Sequence, residues 1–446
     1  MTLRRTARRS LVLLVAAMLL AAAATAGAAA LGRREVLENG MVLLTAERAA
    51  VPIVTVSLLI RAGAIYDPPG KPGTANLMAQ LLTQGTTTRT APQISEAIEF
   101  VGGSLAAEAG RELLSVSLSV LHKDLDVGLD LLADILRNPT FTPADLARKK
   151  QEVIAGIRRD QEDPGTVSYQ AWRALVYGNH PFGRPVEGTE ASVSAITREE
   201  LVRFHADFVR PDQAILAVVG GLGLEELKGR LASRFDGWEP GGRTLAAPPA
   251  PPPLATRSVR TIQKAVTQAN INLGHPAIPR SHPDFYAVQV MNHLLGGGFS
   301  SLLFTAIREE RGLAYDVGSH VSAGKIAGDF NLSLQTKNEA AQEAIELALA
   351  QIRRMREQPV SAEALADAKA YLTGSFPLRL DTSRKVVGML ASIEYHGLGL
   401  DYVTAYPRHL EAVTAADVLR VARAHLDPDR YALAVVADLT KTRLSP

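Results

Sequence analysis

A proline-rich run divides the chain into two stretches of similar length, and this division limits the folds it can adopt. The run covers residues 247–253 and reads A-P-P-A-P-P-P. It cannot continue a helix or lie inside a sheet, because proline lacks a backbone N–H and has a fixed φ, so it forms a stiff extended linker. The sequence therefore predicts two units, residues 31–246 and 257–446, joined by a linker over residues 247–256.

The two units resemble each other, which indicates a duplication. Each ends with an I/V-T pair, a helical pattern, and then P-D before a strand finishing in A-V-V, at residues 196–219 and 413–436. Similar helix starts, T-P-A-D-L at 142–146 and S-A-E-A-L at 361–365, occur earlier in the same order. Two such pairs in one order favour a repeated α+β unit.

Periodicity and turn residues predict the elements of the first unit. Asn39–Gly40 between two apolar runs is a hairpin signal. The predicted helices are 74–83, 93–101, 124–137, 143–161 and 198–208, and the predicted strands are 34–37, 42–44, 51–60, 112–121 and 214–219.

Charge and cysteine content exclude several classes of function. Lys plus Arg is 48 and Asp plus Glu is 46, so the net charge of +2 gives no reason to expect a nucleic-acid partner. The chain has no cysteine, which excludes disulfides, thiolate zinc sites and a cysteine nucleophile. Any metal site must use histidine and carboxylate ligands.

The N-terminus has the three parts of an export signal. Four arginines fall in the first nine positions, an apolar core starts at Leu11, and an alanine-rich stretch follows to residue 30. We expect a signal peptide over residues 1–30 and a periplasmic protein. An uncleaved membrane anchor is the alternative, since residues 10–32 are uncharged. Arg8–Arg9 also leaves the twin-arginine export route open.

Four segments of the chain carry informative motifs: R-A-G-A-I-Y-D-P at 61–68, G-T-A-N-L-M-A-Q-L-L-T-Q-G-T at 73–86, V-Y-G-N-H-P-F-G at 176–183 and I-R-E-E-R-G-L-A-Y at 307–315. Together they resemble segments of peptidase family M16. The resemblance covers essentially all of the chain after the signal. It implies two homologous halves, each an antiparallel sheet packed with helices, that close with a partner like a clam shell around an unfolded peptide.

The resemblance also implies that the zinc site of the family is lost here. Its motif, H-x-x-E-H on a helix, maps its two histidines onto Asn76 and Gln80 and its glutamate onto Ala79. A later glutamate ligand falls near Ala155–Gly156, where only Glu152 is close. Amides are poor zinc ligands and alanine cannot accept a proton. We therefore expect no metal in this chain.

A second family feature is retained. The resemblance implies that Arg308 and Tyr315 reach toward the substrate in the partner's site, where Arg308 binds peptide carbonyls and Tyr315 stabilises an oxyanion. The alternative is a surface ion pair for Arg308 and a half-buried strand position for Tyr315.

Gly296, Gly297 and Gly298 form a candidate substrate loop. A helix stop, a left-handed turn and a serine N-cap would also explain them, and we favour that explanation for their local role. His180 precedes a proline in a turn, and His293 lies in an apolar helical stretch. We interpret both histidines as structural.

These features predict the non-zinc-binding subunit of a heterodimeric M16B metallopeptidase. Its partner would be an M16 subunit with an intact H-x-x-E-H motif, which would carry the zinc, and its substrate would be an unfolded peptide. A non-catalytic peptide-binding or scaffold protein of the cell envelope is the alternative. A self-sufficient peptidase with a relocated metal is a weaker third, because the ten histidines are scattered.

Overall fold

A computed structural model describes residues 30–242, 245–246 and 248–444. The predicted signal peptide lies outside these residues apart from Ala30. Within the described ranges, no helix combines the length and apolarity needed to cross a bilayer.

The described strands form two sheets. The six strands of the first sheet, in the order β1-β2-β6-β3-β5-β4, are β1 Arg33–Val36, β2 Val42–Glu47, β3 Ile53–Ile60, β4 Ser104–Ala109, β5 Leu114–Leu121 and β6 Ala214–Gly220. The five strands of the second sheet, in the order β7-β11-β8-β10-β9, are β7 Ser258–Gln263, β8 Gln268–Ala277, β9 Ala314–Ala323, β10 Gly328–Lys337 and β11 Ala432–Ala437.

Helices cover both sheets. The α-helices of the first half are α1 Thr74–Leu81, α2 Ala91–Phe100, α3 Leu125–Arg137, α4 Pro143–Glu162, α5 Pro164–Tyr177, α6 Glu190–Ala195, α7 Arg198–Phe208 and α8 Leu224–Phe235. Those of the second half are α9 Phe285–Gly296, α10 Ala341–Glu357, α11 Ala362–Gly374, α12 Ser383–His396, α13 Tyr402–Glu411 and α14 Ala415–His425. Short 3₁₀ turns occur at Ala64–Tyr66, His122–Asp124, Pro181–Gly183, Pro211–Gln213, Asn338–Ala340 and Phe376–Arg379.

The two sheets have equivalent topology, which confirms the predicted two-half α+β organisation. Reading β7, β11, β8, β10 and β9 in place of β2, β6, β3, β5 and β4 reproduces every pairing, and the first sheet adds β1 at its edge. Each sheet is antiparallel apart from one parallel pair, β2 with β6 and β7 with β11, so the sheets are mixed rather than purely antiparallel.

The sequence identified most elements of the first half but missed β4, α5, α6 and α8. Helix α5 was missed because it begins with Pro164–Gly165, a pair typical of turns. Pro164 instead occupies the first helical turn, where its missing N–H costs nothing, and Asp163 accepts a hydrogen bond from the backbone N–H of Thr166 at 2.6 Å.

One helix from each half crosses over to cover the sheet of the other half. Helix α5 packs on β11 and β8 of the second sheet, and α12 packs on β6 and β3 of the first. The central strands β6 and β11 are therefore apolar on both faces, as expected for strands covered on both sides. The exchange of helices makes the two halves one packed body.

The two crossover interfaces differ in chemistry. Helix α12 contributes an apolar set to the first sheet: Val386, Val387, Leu390 and Ala391 pack on Leu44, Ala217 and Val219. Helix α5 places Trp172 on small residues of β11 and also brings polar groups inside. Arg173 Nη1 lies 2.8 Å from Asp329 Oδ2, and both side chains are only 6% exposed. The Tyr177 hydroxyl donates to the same carboxylate at 2.8 Å.

Candidate functional site

Helix α1, which carries the expected zinc-motif positions, is fixed at its N-terminus by Asp67. One carboxylate oxygen accepts from the backbone N–H of Gly73 at 2.8 Å and the other from that of Ala75 at 2.7 Å. Burial raises the pKa of Asp67 to about 7, against the opposing effect of these hydrogen bonds. Gly73 has φ of 97°, and an added Cβ would lie 2.7 Å from the Glu187 carbonyl oxygen, so only glycine fits.

The side chains at the zinc-motif positions do not fit a zinc ion. Asn76 and Gln80 lie one turn apart on α1, and Gln80 Nε2 donates a hydrogen bond to Asn76 Oδ1 at 3.1 Å. The buried amide nitrogen of Asn76 has no hydrogen-bond partner among the described residues. Ala79, at the position of the general base, is fully buried and has no group that accepts a proton. This pair of amides and an alanine supplies neither imidazole ligands nor a base.

The position expected for the third zinc ligand also carries no carboxylate side chain. Gly156 lies on α4, and a Cβ added there would meet only the Arg159 side chain, at 3.9 Å. Glu152, one turn earlier, is exposed and forms ion pairs with Arg148 at 2.8 Å and Lys149 at 2.5 Å. Its charge is therefore already paired at the surface of the helix.

Arg308 and Tyr315 lie side by side at the edge of the second sheet. Arg308 is in a π-helical turn, Phe304–Glu309, and Tyr315 is the second residue of β9. The guanidinium carbon of Arg308 is 4.6 Å from the ring centroid of Tyr315 and 4.8 Å from that of Phe304. These two contacts hold the guanidinium against two aromatic rings.

The donors of this pair are available to a ligand. Tyr315 is 77% exposed. Within residues 30–242, 245–246 and 248–444, no acidic side chain pairs with Arg308, whereas the neighbouring Arg311 pairs with Glu343. Neither feature matches the alternative interpretation of an ion-paired Arg308 and a half-buried Tyr315.

The glycine segment ends α9 and packs closely on β9. A Cβ added to Gly296 would lie 2.5 Å from the Ser319 backbone nitrogen, so this glycine permits the close approach of helix and strand. Gly297 has φ of −88°, and none of the three glycines has a positive φ, so the expected left-handed turn is wrong. The expected serine N-cap is confirmed, because the Ser301 hydroxyl accepts from the Phe304 N–H at 3.4 Å.

A cavity of about 900 Å³ borders the glycine segment. Its lining includes His293, Phe299, Phe304, Asp316, Asp367 and Tyr371. Phe299 is 80% exposed and contacts Phe304 edge to face at 5.2 Å. Phe304 therefore lines the cavity and also contacts Arg308, so the cavity and the Arg308–Tyr315 pair are neighbours, which together we call the Arg–Tyr site.

Sequence reasoning missed the aromatic residues of this site. A signal existed for their location, since L-M-A-Q-L-L at 77–82 and V-M-N-H-L-L at 290–295 align α1 with α9. This alignment makes His293 the equivalent of Gln80. His293 stacks on Tyr371 with ring centroids 4.6 Å apart, and burial lowers its pKa. The interpretation of His293 as a packing residue is confirmed.

His180 is likewise structural. Its Nε2 lies 2.8 Å from the Pro249 carbonyl oxygen and its Nδ1 accepts from the Phe182 N–H at 3.2 Å. It therefore attaches the proline-rich linker to the first half.

The zinc-motif positions and the Arg–Tyr site are not brought together within the chain. Helix α1 packs in the hydrophobic core of the first half, and the turn carrying Arg308 packs in that of the second. Over the described residues, no hydrogen bond, ion pair or ring contact links Asn76 or Gln80 to Arg308 or Tyr315.

Two family models match the sequence. One, described as Insulinase (Peptidase family M16), matches residues 42–190, and the other, described as Peptidase M16 inactive domain, matches residues 195–372.

Bacterial zinc proteases are related over nearly the whole chain. An uncharacterised zinc protease of Streptomyces coelicolor is 27% identical over 423 residues, which is 93% of this chain and 91% of the relative. One of Mycobacterium tuberculosis is 28% identical over 416 residues, covering 93% and 95%.

Solved structures of similar proteins share the fold. The peptidase M16 inactive domain from Pseudomonas fluorescens has a TM-score of 0.87 at 26% identity, over 93% of this chain and all of that one. A protease from Helicobacter pylori has a TM-score of 0.85 at 20% identity, over 91% and 98%.

Proposed function

The chain belongs to peptidase family M16, and we propose that it is the non-zinc-binding subunit of a heterodimeric M16B metallopeptidase. The contrast between its two sites carries this proposal. Asn76, Ala79 and Gln80 offer neither imidazole ligands nor a base, whereas Arg308 stacks on the exposed Tyr315 and pairs with no acidic side chain in the described part of the chain. A scaffold has no chemical need for such a pair.

Arg308 and Tyr315 suit the binding of a peptide at its transition state. The guanidinium presents N–H donors along its edge, and these can bind peptide carbonyl oxygens as charge-assisted hydrogen bonds. The Tyr315 hydroxyl can donate to the carbonyl oxygen that becomes negative as water attacks. The attacking water and its metal would come from the partner subunit, which completes one site from two chains.

The cavity beside this pair suits unfolded peptide. Its volume of about 900 Å³ is enough for side chains on both sides of a scissile bond. Phe299 and Tyr371, 80% and 59% exposed, offer flat apolar faces without selecting one residue type. The N-terminal export signal suggests that the chain meets these peptides in the periplasm. N-terminal sequencing of the protein from the cell envelope would test whether the signal is removed.

The proposal is tested by hydrolysis of a fluorogenic unfolded peptide by the chain, by a partner with an intact H-x-x-E-H motif, and by their purified complex. We expect substantial turnover only from the complex. Tyr315→Phe should lower kcat about 100-fold, because one oxyanion donor is lost. Arg308→Ala should lower kcat/KM by a similar factor. Arg311→Ala, which removes an exposed cation from the same segment, is the matched control and should change little.

Two outcomes would overturn the proposal. Unchanged turnover in the Arg308→Ala, Tyr315→Phe double variant, with the complex intact by size-exclusion chromatography, would remove the assigned role of the pair. Recovery of the chain only as a homodimer that binds unfolded peptide without hydrolysis, even beside zinc-bearing M16 chains, would instead support the peptide-binding or scaffold function.

A further inference from the structure

Three metal-ligating side chains converge at the N-terminal end of α9, at the opposite end of that helix from the glycine segment. They are His282, Asp284 and His425, and one ligand atom of each lies within 4.8 Å of the others. We propose that they bind a divalent transition-metal ion such as Zn²⁺ or Ni²⁺. Helix α9 has 12 residues, so at 1.5 Å per residue this cluster is roughly 18 Å from the Arg–Tyr site.

The packing of two helices holds the cluster together. Asp284 immediately precedes α9, and His425 is the last residue of α14, which packs against α9. His425 Nε2 lies 2.7 Å from Asp284 Oδ2, and His282 Nδ1 lies 4.0 Å from the same oxygen. Ligand atoms about 2 Å from one ion are separated by roughly 3 to 4 Å, so small side-chain rotations would close the site.

The ligand set indicates the class of metal. Two imidazoles and one carboxylate suit zinc, nickel or copper, whereas magnesium and calcium prefer oxygen ligands throughout. Three protein ligands leave at least one position for water. The side chains are 33%, 15% and 19% exposed for His282, Asp284 and His425, so an ion can enter from solvent.

Two existing contacts of the cluster would compete with a bound metal ion. Arg420 Nη2 lies 2.8 Å from Asp284 Oδ1, so the ion would have to bind Oδ2, which now pairs with His425 Nε2, beside the positive charge of Arg420. The backbone N–H of Asp284 donates to His282 Nδ1 at 3.1 Å, so the single lone pair of that nitrogen is already used and the ring must turn away from this N–H to bind an ion. A bound ion would replace this hydrogen bond and the one between His425 and Asp284.

The test is calorimetric titration of the full chain, purified without a histidine tag, with ZnCl₂ and NiCl₂. We expect one equivalent to bind, and His282→Ala and His425→Ala each to weaken binding at least tenfold. His320→Ala, which removes an exposed histidine of β9, is the matched control and should leave binding unchanged. Arg420→Gln should tighten binding several-fold, because it removes the competing charge.

Specific results of the same titration would contradict the metal site. The inference is wrong if the wild-type chain binds no equivalent of either ion, or if both histidine variants bind as the wild type does. The Arg420→Gln variant protects against a folding artefact, since a misfolded protein would not gain affinity. Co²⁺ added to the wild type should also give the visible absorption of a nitrogen-ligated ion, and its absence would count against the imidazole ligands. Peptide hydrolysis plays no part, so the outcome is independent of the proposed subunit role.

Discussion

The two halves share one topology but differ at the helix that follows their first long strand. In the first half, every residue of α1 except Gln80 is buried, and the amides of Asn76 and Gln80 bond to each other. In the second half, the equivalent α9 ends in three glycines beside a large cavity. The equivalent residues Gln80 and His293 are both half-buried, so the two helices differ in what lies beside them: α9 borders the glycine segment and the cavity, whereas α1 carries the paired amides.

The crossover helices show a second difference between the halves. The buried part of the contact between α12 and the first sheet is apolar, and an ion pair of Glu394 with Arg34 of β1 lies at its exposed margin. The contact of α5 with the second sheet instead encloses the Arg173–Asp329 pair and the Tyr177 hydroxyl. An apolar contact loses stability in proportion to the volume removed. A buried ion pair loses far more when one partner is removed than the pair itself contributes, because a charge is left unpaired.

The largest expected loss of stability is in the interface between α5 and the second sheet, which contains the buried ion pair. Asp329→Ala should lower the free energy of unfolding by about 4 kcal/mol, because Arg173 would remain buried and uncompensated. Urea denaturation followed by tryptophan fluorescence measures this, since Trp172 lies in the same interface.

A surface ion pair between the halves provides the control. Glu394→Ala breaks the bidentate pair with Arg34, whose side chain is 43% exposed, and should cost less than about 1 kcal/mol. Equal losses in Asp329→Ala and Glu394→Ala would show that burial does not distinguish the two pairs.

Substitution in the apolar interface between α12 and the first sheet should lower the free energy of unfolding somewhat less. Leu390 is fully buried between α12 and the first sheet, and Leu390→Ala should cost about 3 kcal/mol through lost burial and the cavity left behind. Leu378→Ala, at a position 63% exposed, is the control. A larger loss for Leu390→Ala than for Asp329→Ala in the same urea assay would reverse the proposed ranking of the two interfaces.

The stability contributed by α7 should depend on pH, unlike that of its equivalent α14, because α7 carries a buried histidine. Counted from the capping residues Thr197 and Thr414, His205 of α7 corresponds to Ala422. Burial lowers the pKa of His205 to about 4, and its Nε2 lies 2.8 Å from the Leu136 carbonyl oxygen. A histidine with a lowered folded-state pKa contributes stability above its unfolded pKa of about 6.5, and this is lost as the pH falls toward 4.

His205→Gln should therefore flatten the acid limb of the stability curve. Between pH 7 and 4 the wild type should lose about 2 kcal/mol more than the variant, as measured by urea denaturation at each pH. His320→Gln, at an exposed position, should behave as the wild type. Parallel curves for wild type and His205→Gln would show that this histidine titrates normally.

The smallest expected effect is at the zinc-motif helix itself. Gln80→His should add no zinc, because Ala79 and Asn76 still supply no base and no second imidazole. The measurement is metal analysis after dialysis, with His425→Ala as the parent so that the cluster at Asp284 does not contribute. An additional equivalent of zinc would mean that one histidine is enough to restore the site in the first half.

Repeated patterns predicted the two-half fold, and the resemblance to family M16 placed two amides and an alanine at the zinc-motif positions. Alternating Leu and Val in β5 and the Asn39–Gly40 turn act through neighbours in the chain, so periodicity predicted them. The cluster of His282, Asp284 and His425 could not be predicted this way. Its last member is 141 residues beyond Asp284 and arrives only through the packing of α14 on α9.

The sequence by itself determined the two halves, most elements of the first half, and the amide and alanine side chains that stand on α1, because these depend on local patterns and on the chemistry of individual side chains. Only the tertiary structure decided that each half covers the sheet of the other and that Phe304 joins Arg308 and Tyr315 to the cavity. It also left Arg308 without an acidic partner among the described residues. These features depend on contacts between distant segments, which form only when the chain has folded.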